Sequence, residues 1–137
     1  MSGGESAKAV VSAYYEAVYS GRDAGAAREF LSPAFTSAGP GGSMTLEQHV
    51  GALAATLAAI PDLVLTIDEQ VADGEAVATR WTVRGTHAGP LFGIPATGRS
   101  LTATAIHLHH VRDGRIADQW EQFDALGVLR QLGVLPG

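Results

Sequence analysis

Two residues, His107 and Glu121, have the types and spacing needed to move a proton at neutral pH. They lie on either side of Asp113-Gly114, a dipeptide that favours a two-residue hairpin turn. An imidazole next to a carboxylate is the smallest set of side chains that can act as a general acid/base pair. The alternative is that both side chains face water on an exposed sheet, or that His107 is a core histidine bonded to backbone.

The residues around this pair repeat every second position, as in a strand. His109 shares a strand face with His107, and Gln119 and Phe123 share one with Glu121. Partial burial of this face predicts a raised pKa for Glu121, which would suit an acid/base residue.

The composition excludes several classes of protein. The chain has 137 residues, 46% of them hydrophobic, and a formal net charge of −5. Lys8 is the only lysine and the arginines are scattered, which argues against nucleic acid as a partner. No run of residues is long and apolar enough to span a membrane, and the first residues do not resemble a signal peptide. We therefore expect one cytoplasmic domain, residues 1–137, and the absence of cysteine leaves no thiol chemistry.

Helical periodicity dominates the first half of the chain. It predicts helices over residues 6–20 and 24–31, the second with Asp23 as its N-cap. Thr45 and Gln48 predict a capping box for a third helix that ends at Pro61. Its apolar face comprises Leu46, Val50, Leu53, Leu57 and Ile60. Of Tyr14 and Tyr15 in the first helix, we expect only one to face the sheet.

From Pro61 onwards the period changes to that of strands. We predict long strands at residues 63–72, 75–87, 101–112 and 115–123, a short extended piece at 34–37, and a closing helix at 125–132. Residues 39–42 and 88–99 are predicted loops, and Asp73-Gly74 and Asp113-Gly114 are predicted turns. This order predicts an α+β fold in which a curved antiparallel sheet packs on the N-terminal helices.

Three segments together resemble the SnoaL-like polyketide cyclase family, of the nuclear-transport-factor-like superfamily. The first is Gly85-Thr-His87-Ala-Gly89 followed by Phe92-Gly93-Ile94-Pro95-Ala-Thr97-Gly98-Arg99. The second is His107 with Asp113-Gly114-Arg115-Ile116, and the third is Asp124-Ala-Leu-Gly-Val-Leu-Arg-Gln-Leu-Gly133. The resemblance implies a cone-shaped α+β barrel, often dimeric, that works without cofactor or metal.

The resemblance also implies roles for particular residues. Cyclases of this family close a ring by intramolecular aldol condensation of a polyketide ester, with an aspartate as acid/base and a histidine beside it. Glu121 occupies the aspartate position and His107 the histidine position, and Ser37 replaces an asparagine near the pocket mouth. We therefore predict Glu121 and His107 as catalytic residues. Candidate substrate-binding residues are Phe35, Ser37, Trp81, His87, Phe92, His109, Gln119 and Phe123.

His107-x-His109 with Glu121 also resembles a metal triad, but no further ligand has suitable spacing, so we predict no metal. On the opposite face, the set Ile106, Leu108 and His110, with Trp120 on the neighbouring strand, leaves apolar area that a monomer would expose, which predicts a homodimer.

Three functions fit this pocket. The first is aldol-type ring closure of a hydrophobic, polyketide-like substrate in secondary metabolism. The second is epoxide opening, as a cyclase or hydrolase, and the third is non-catalytic binding of a small molecule. All three need an apolar pocket with two polar groups, so the residues alone leave them open.

Overall fold

A computed structural model of the chain describes residues 3–135. In chain order the elements are α1 (Gly3–Tyr15), a π-helical turn (Glu16–Ser20), a 3-10 helix (Ala24–Glu29), β1 (Leu31–Gly39), β2 (Gly42–Thr45), α2 (Leu46–Ala59), β3 (Val64–Asp73), β4 (Ala76–Thr86), β5 (Ser100–Arg112), β6 (Arg115–Phe123) and α3 (Ala125–Gln131). The predicted α+β class is confirmed, with helices packed on one curved sheet.

The predicted helix boundaries follow local chemistry closely. The Asp23 side chain accepts a hydrogen bond from the Ala26 amide and caps the short second helix. Thr45 and Gln48 form the reciprocal capping box at the start of α2. The second helix is shorter than predicted, because the chain enters β1 at Leu31, before Pro33.

The sheet has six strands in the order β2-β1-β6-β5-β4-β3. Two features differ from the prediction. β1 pairs with β6 in parallel, so the sheet is mixed, and its two edge strands do not pair with each other, so it is curved but not closed as a barrel. The predicted loop at residues 39–42 is a tight turn within the β1–β2 hairpin, with Gly39 opposite Gly42.

The two long hairpins carry the site. Asp113 and Gly114 have φ values of +53° and +76°, so the turn between β5 and β6 falls where the sequence predicts it. The β3–β4 turn is shifted by one residue to Gly74 and Glu75. Gly74 has φ +60° and is the first central residue of this turn, a position that glycine accepts without strain.

The strands alternate between a buried and an exposed face. In β5 the buried residues are the odd-numbered ones from Leu101 to Val111, which face α1 and the core. Gly39 at the end of β1 allows close contact with β6, since a Cβ there would lie 2.7 Å from the Glu121 carbonyl oxygen. The candidate site lies on the buried face of β5 and β6, over which the N-terminal helices pack.

No helix among residues 3–135 has the length and apolar character needed to cross a membrane.

Candidate active site

His107 and Glu121 face each other on neighbouring strands. They are register partners in the β5–β6 pair, and His107 Nε2 lies 2.7 Å from Glu121 Oε2. The His107 side chain is 2% exposed, whereas the Glu121 side chain is 40% exposed. The hairpin therefore buries the imidazole and leaves the carboxylate accessible from the cavity described below.

Two donors fix the tautomer of His107. The Trp81 indole Nε1 lies 3.2 Å from His107 Nδ1 and can only donate, so Nδ1 accepts. The Tyr15 hydroxyl lies 2.7 Å from the same nitrogen, and burial raises the pKa of this phenol well above its ordinary value, so it remains a donor. The ring proton of neutral His107 is therefore on Nε2, which donates to Glu121.

This bond decides the charge of Glu121. Burial would raise the pKa of its carboxyl group, but the hydrogen bond and electrostatic field of His107 lower it below its ordinary value. The predicted raised pKa is therefore wrong. Partial exposure and a short bond from an imidazole N–H both favour the charged form, so Glu121 is a carboxylate at neutral pH.

A largely apolar cavity of about 260 Å³ opens beside the pair. His107 and Glu121 line it, and so do five of the eight predicted substrate-binding residues: Ser37, Trp81, Phe92, Gln119 and Phe123. Its other walls are Tyr19, Met44, His49, Ala52, Leu53, Thr56, Ile60, Leu63, Val83, Leu91, Leu101, Ala103 and Val128. Few polar groups in an otherwise apolar wall are typical of a site for a hydrophobic small molecule.

Three predicted binding residues lie outside the cavity lining. Phe35 is buried in the core, with its ring 5.0 Å from that of His49. His87 is fully buried, and its Nδ1 accepts the Thr97 amide at 3.2 Å, which ties the end of β4 to the following loop. Neither Phe35 nor His87 lines the cavity, and direct substrate contact stays a prediction for both.

His109 is the third of these residues and supports the cavity wall from behind. Its Nε2 lies 2.8 Å from Gln119 Oε1, and Gln119 Nε2 donates to Ser37 Oγ at 3.2 Å. Burial lowers the pKa of His109 to about 3, so the ring is neutral and uncharged across the physiological range. The chain of bonds orients Gln119 and Ser37, which do line the cavity.

The profile of one protein family covers nearly all of this structure: SnoaL-like polyketide cyclases match residues 9–132. The chain belongs to the SnoaL-like polyketide cyclase family.

Individual relatives agree with this assignment. Nogalonic acid methyl ester cyclase from Streptomyces nogalater is 34% identical over 107 residues, 77% of this chain and 78% of that protein. Aklanonic acid methyl ester cyclase DnrD from Streptomyces peucetius is 43% identical over 61 residues, so this match spans 44% of the chain and only 42% of that relative. The structure of TsrD from Streptomyces laurentii superposes with a TM-score of 0.85 at 30% identity, over 96% of this chain and 97% of that one.

Within this SnoaL-like site, sequence reasoning missed the contribution of the helices. His49 on α2 lines the cavity, and the Tyr14 hydroxyl lies 3.0 Å from its Nε2. Tyr14 and Tyr15 are both buried, and their ring centroids lie 6.1 and 6.0 Å from that of His109 on β5, so the expectation that only one faces the sheet is wrong. Each hydroxyl reaches a different histidine, Tyr14 to His49 and Tyr15 to His107.

A signal for His49 was present in the sequence. It falls between Leu46 and Val50 on the apolar stripe of α2, where a polar ring needs a partner or a function.

The metal triad weighed from the sequence is not assembled. Within residues 3–135, no group of three or more His, Cys, Asp or Glu side chains is arranged to hold a metal ion. His109 faces Gln119 and not Glu121, because its register partner on β6 is Gln119. The absence of a metal requirement stays a prediction.

Proposed function

We propose that this protein closes a ring in a polyketide methyl ester by an intramolecular aldol reaction, with Glu121 as the general base. The observation that supports this most directly is the charged, half-exposed carboxylate of Glu121 in an apolar cavity, held by the N–H of His107. The relatives named as methyl ester cyclases supply the substrate class.

In the proposed reaction, Glu121 both takes up and returns the transferred proton. Glu121 removes a proton from the carbon next to a substrate carbonyl, and the C–H electron pair becomes an enolate. The enolate carbon attacks a second carbonyl carbon of the same molecule, forming the C–C bond while the C=O electrons move to oxygen. That oxygen takes the proton back from the Glu121 carboxyl group, which restores the carboxylate.

The lowered pKa of Glu121 restricts the substrate. A weak base removes protons efficiently only from an acidic carbon, so the reacting carbon must be activated by more than one electron-withdrawing group. Polyketides supply such carbons. The apolar cavity walls include the rings of Trp81 and Phe123, which lie 6.4 Å apart. These walls fold the polyketide substrate so that its two reacting carbons approach each other.

The test is turnover by the unmutated protein. Nogalonic and aklanonic acid methyl esters are incubated with it, and the isomeric cyclised product is separated by liquid chromatography and identified by NMR. We expect at least one ester to cyclise faster than in buffer. If both bind but neither reacts, the protein is a binding module and the proposed activity is wrong.

We also propose that the protein is a homodimer formed through the outer face of the sheet. Ile106, Leu108 and Trp120 lie on this face and are 49%, 38% and 48% exposed. Leu108 and Trp120 are register partners, so their side chains form one apolar patch of the kind that dimerisation covers.

Sedimentation at micromolar concentration should show a dimer, and Leu108→Glu should give a monomer. The control is Ala13→Glu on the exposed side of α1. A monomeric unmutated protein would contradict this proposal.

A further inference from the structure

His49 reaches the cavity from the helix side, whereas His107 and Glu121 reach it from the sheet. The residue is 5% exposed, yet it lines the same cavity as Glu121. Its Nδ1 is buried and has no hydrogen-bond partner among residues 3–135. An unpaired buried polar atom is costly, so an unpaired nitrogen on a residue that lines the cavity points to a ligand group as its partner.

The hydroxyl of Tyr14 determines which nitrogen of His49 carries the ring proton. Within residues 3–135 this hydroxyl makes one hydrogen bond, to His49 Nε2 at 3.0 Å. Burial raises the pKa of Tyr14 well above its ordinary value, so the group is a phenol with a proton to donate. If the phenol donates to Nε2, only one buried group stays unpaired. The reverse arrangement would leave both the phenol O–H and Nδ1 without partners. His49 therefore carries its ring proton on Nδ1.

We propose that His49 is a further catalytic residue, whose Nδ1–H donates a hydrogen bond to the substrate oxygen that becomes negative when Glu121 removes the proton. This inference rests on the proposed cyclase reaction, to which it adds the group that stabilises the enolate. No covalent bond to His49 forms or breaks. The electron pair released from carbon resides largely on the enolate oxygen, and the N–H stabilises it there until the C–C bond forms.

The charge state of His49 fits this role. Burial, with a further contribution from His107, lowers its pKa to about 4 against the opposing effect of Glu121. A neutral donor does not hold the Glu121 carboxylate in an ion pair, so that base stays available for the substrate.

Two other histidines have a buried, unpaired nitrogen in the described part of the chain, namely Nε2 of His87 and Nδ1 of His109. Neither residue lines the cavity, so neither nitrogen can meet a substrate held there. The unpaired nitrogen of His49 differs from them because its ring does line that wall.

Two substitutions separate the donor from the rest of the ring. The amide of His49→Asn puts an N–H near the position of Nδ1, whereas the amide of His49→Gln reproduces Nε2 and its contact with Tyr14 but leaves no donor towards the cavity. We expect His49→Gln to lower kcat on the responsive methyl ester about 10²–10³-fold, the usual effect of losing one such donor. We expect His49→Asn to stay within about 10-fold of the unmutated protein.

Circular dichroism and thermal melting serve to check that both variants are folded. The inference is overturned if His49→Gln keeps kcat within a few-fold, or if His49→Asn loses as much as His49→Gln, because the ring would then serve only packing.

A binding experiment tests the inference without turnover. In a Glu121→Gln background, which mimics the protonated base, the probe is 2-hydroxy-1,4-naphthoquinone, an enolate-like anion at neutral pH, and its neutral control is 2-methoxy-1,4-naphthoquinone. Adding His49→Gln should weaken binding of the anion roughly 10-fold or more and leave the methoxy compound little changed, as expected for loss of a bond to a charged group.

Equal weakening of both probes, or no binding of the anion to the Glu121→Gln protein, overturns the inference. If the anion preference depends on His49 but neither methyl ester is turned over, the proposed cyclase reaction fails and the binding role of His49 stands.

Discussion

Phe92 and Phe123 place their rings 5.9 Å apart at the wall of the cavity, although they come from different parts of the fold. Phe123 is the last residue of β6, whereas Phe92 lies in the loop after β4, in the tight turn closed by the Leu91–Ile94 bridge. Phe92 has φ +52°, a left-handed conformation that costs a non-glycine residue about 1 kcal/mol, and its side chain is largely exposed. The loop holds an apolar ring in a strained conformation next to the cavity.

The exposed ring and the strained backbone of Phe92 predict separate effects on substrate binding and on stability. Phe92→Gly removes the strain and the ring, whereas Phe92→Ala removes the ring alone. We expect both variants to raise KM several-fold with little change in kcat. We expect Phe92→Gly to be the more stable of the two by about 1 kcal/mol in urea unfolding. Equal stability of the two variants would show that the turn is unstrained, and an unchanged KM would show that the ring does not contact substrate.

The two donors to His107 Nδ1 predict a synergistic double variant. Trp81→Phe leaves the Tyr15 hydroxyl on Nδ1, and Tyr15→Phe leaves the indole, so each single change should lower kcat only a few-fold. The double variant leaves Nδ1 without a donor. The ring proton is then no longer confined to Nε2, the nitrogen that faces Glu121, and can also lie on Nδ1.

We expect the double variant to lose about 10²-fold in kcat, more than the product of the single effects. Nitrogen NMR of the His107 ring should show the proton on Nε2 in the unmutated protein and a mixture in the double variant. Independent effects, or a single tautomer throughout, would contradict the assignment of roles.

Part of this site follows directly from local sequence. Asp113-Gly114 sets the register of the β5–β6 hairpin, and that register places His107 opposite Glu121. The parallel pairing of β1 with β6 had no local signal, because the two strands are far apart in the chain and β1 contains Pro33. The lowered pKa of Glu121 was also out of reach, because it depends on a bond geometry that strand alternation does not specify.

Buried neutral histidines predict that stability falls at mildly acidic pH. Burial lowers the pKa of His49 to about 4 and that of His109 to about 3, against 6.5 for an unperturbed histidine. Below pH 6.5, His49 and His109 therefore bind protons in the unfolded chain but not in the native protein. The stabilisation is complete above pH 6.5 and is lost as the pH falls towards the native values. Between about pH 6 and pH 5, each histidine should lower the free energy of unfolding by up to about 1.4 kcal/mol per pH unit.

Urea unfolding from pH 7 to pH 4.5 measures this slope. His109→Gln should reduce it by about one histidine's share, whatever it does to stability at pH 7. The control is His110→Gln, one residue along β5 on the other face, where the ring is partly exposed and 2.7 Å from Asp118. If His109→Gln leaves the slope unchanged, His109 is not held neutral by burial.

The central claim, that the Glu121 carboxylate is the base, is tested most directly by kcat/KM of Glu121→Gln on the methyl ester that the unmutated protein cyclises. The amide keeps the size of the side chain and removes its ability to accept a proton. Loss of a general base typically costs about 10²–10⁴-fold in rate. We expect a loss in this range while binding of the ester and the melting temperature stay close to those of the unmutated protein, and Glu29→Gln, at an exposed position of the 3-10 helix, serves as the control. A Glu121→Gln protein that cyclises the ester at a near-normal rate would contradict the account.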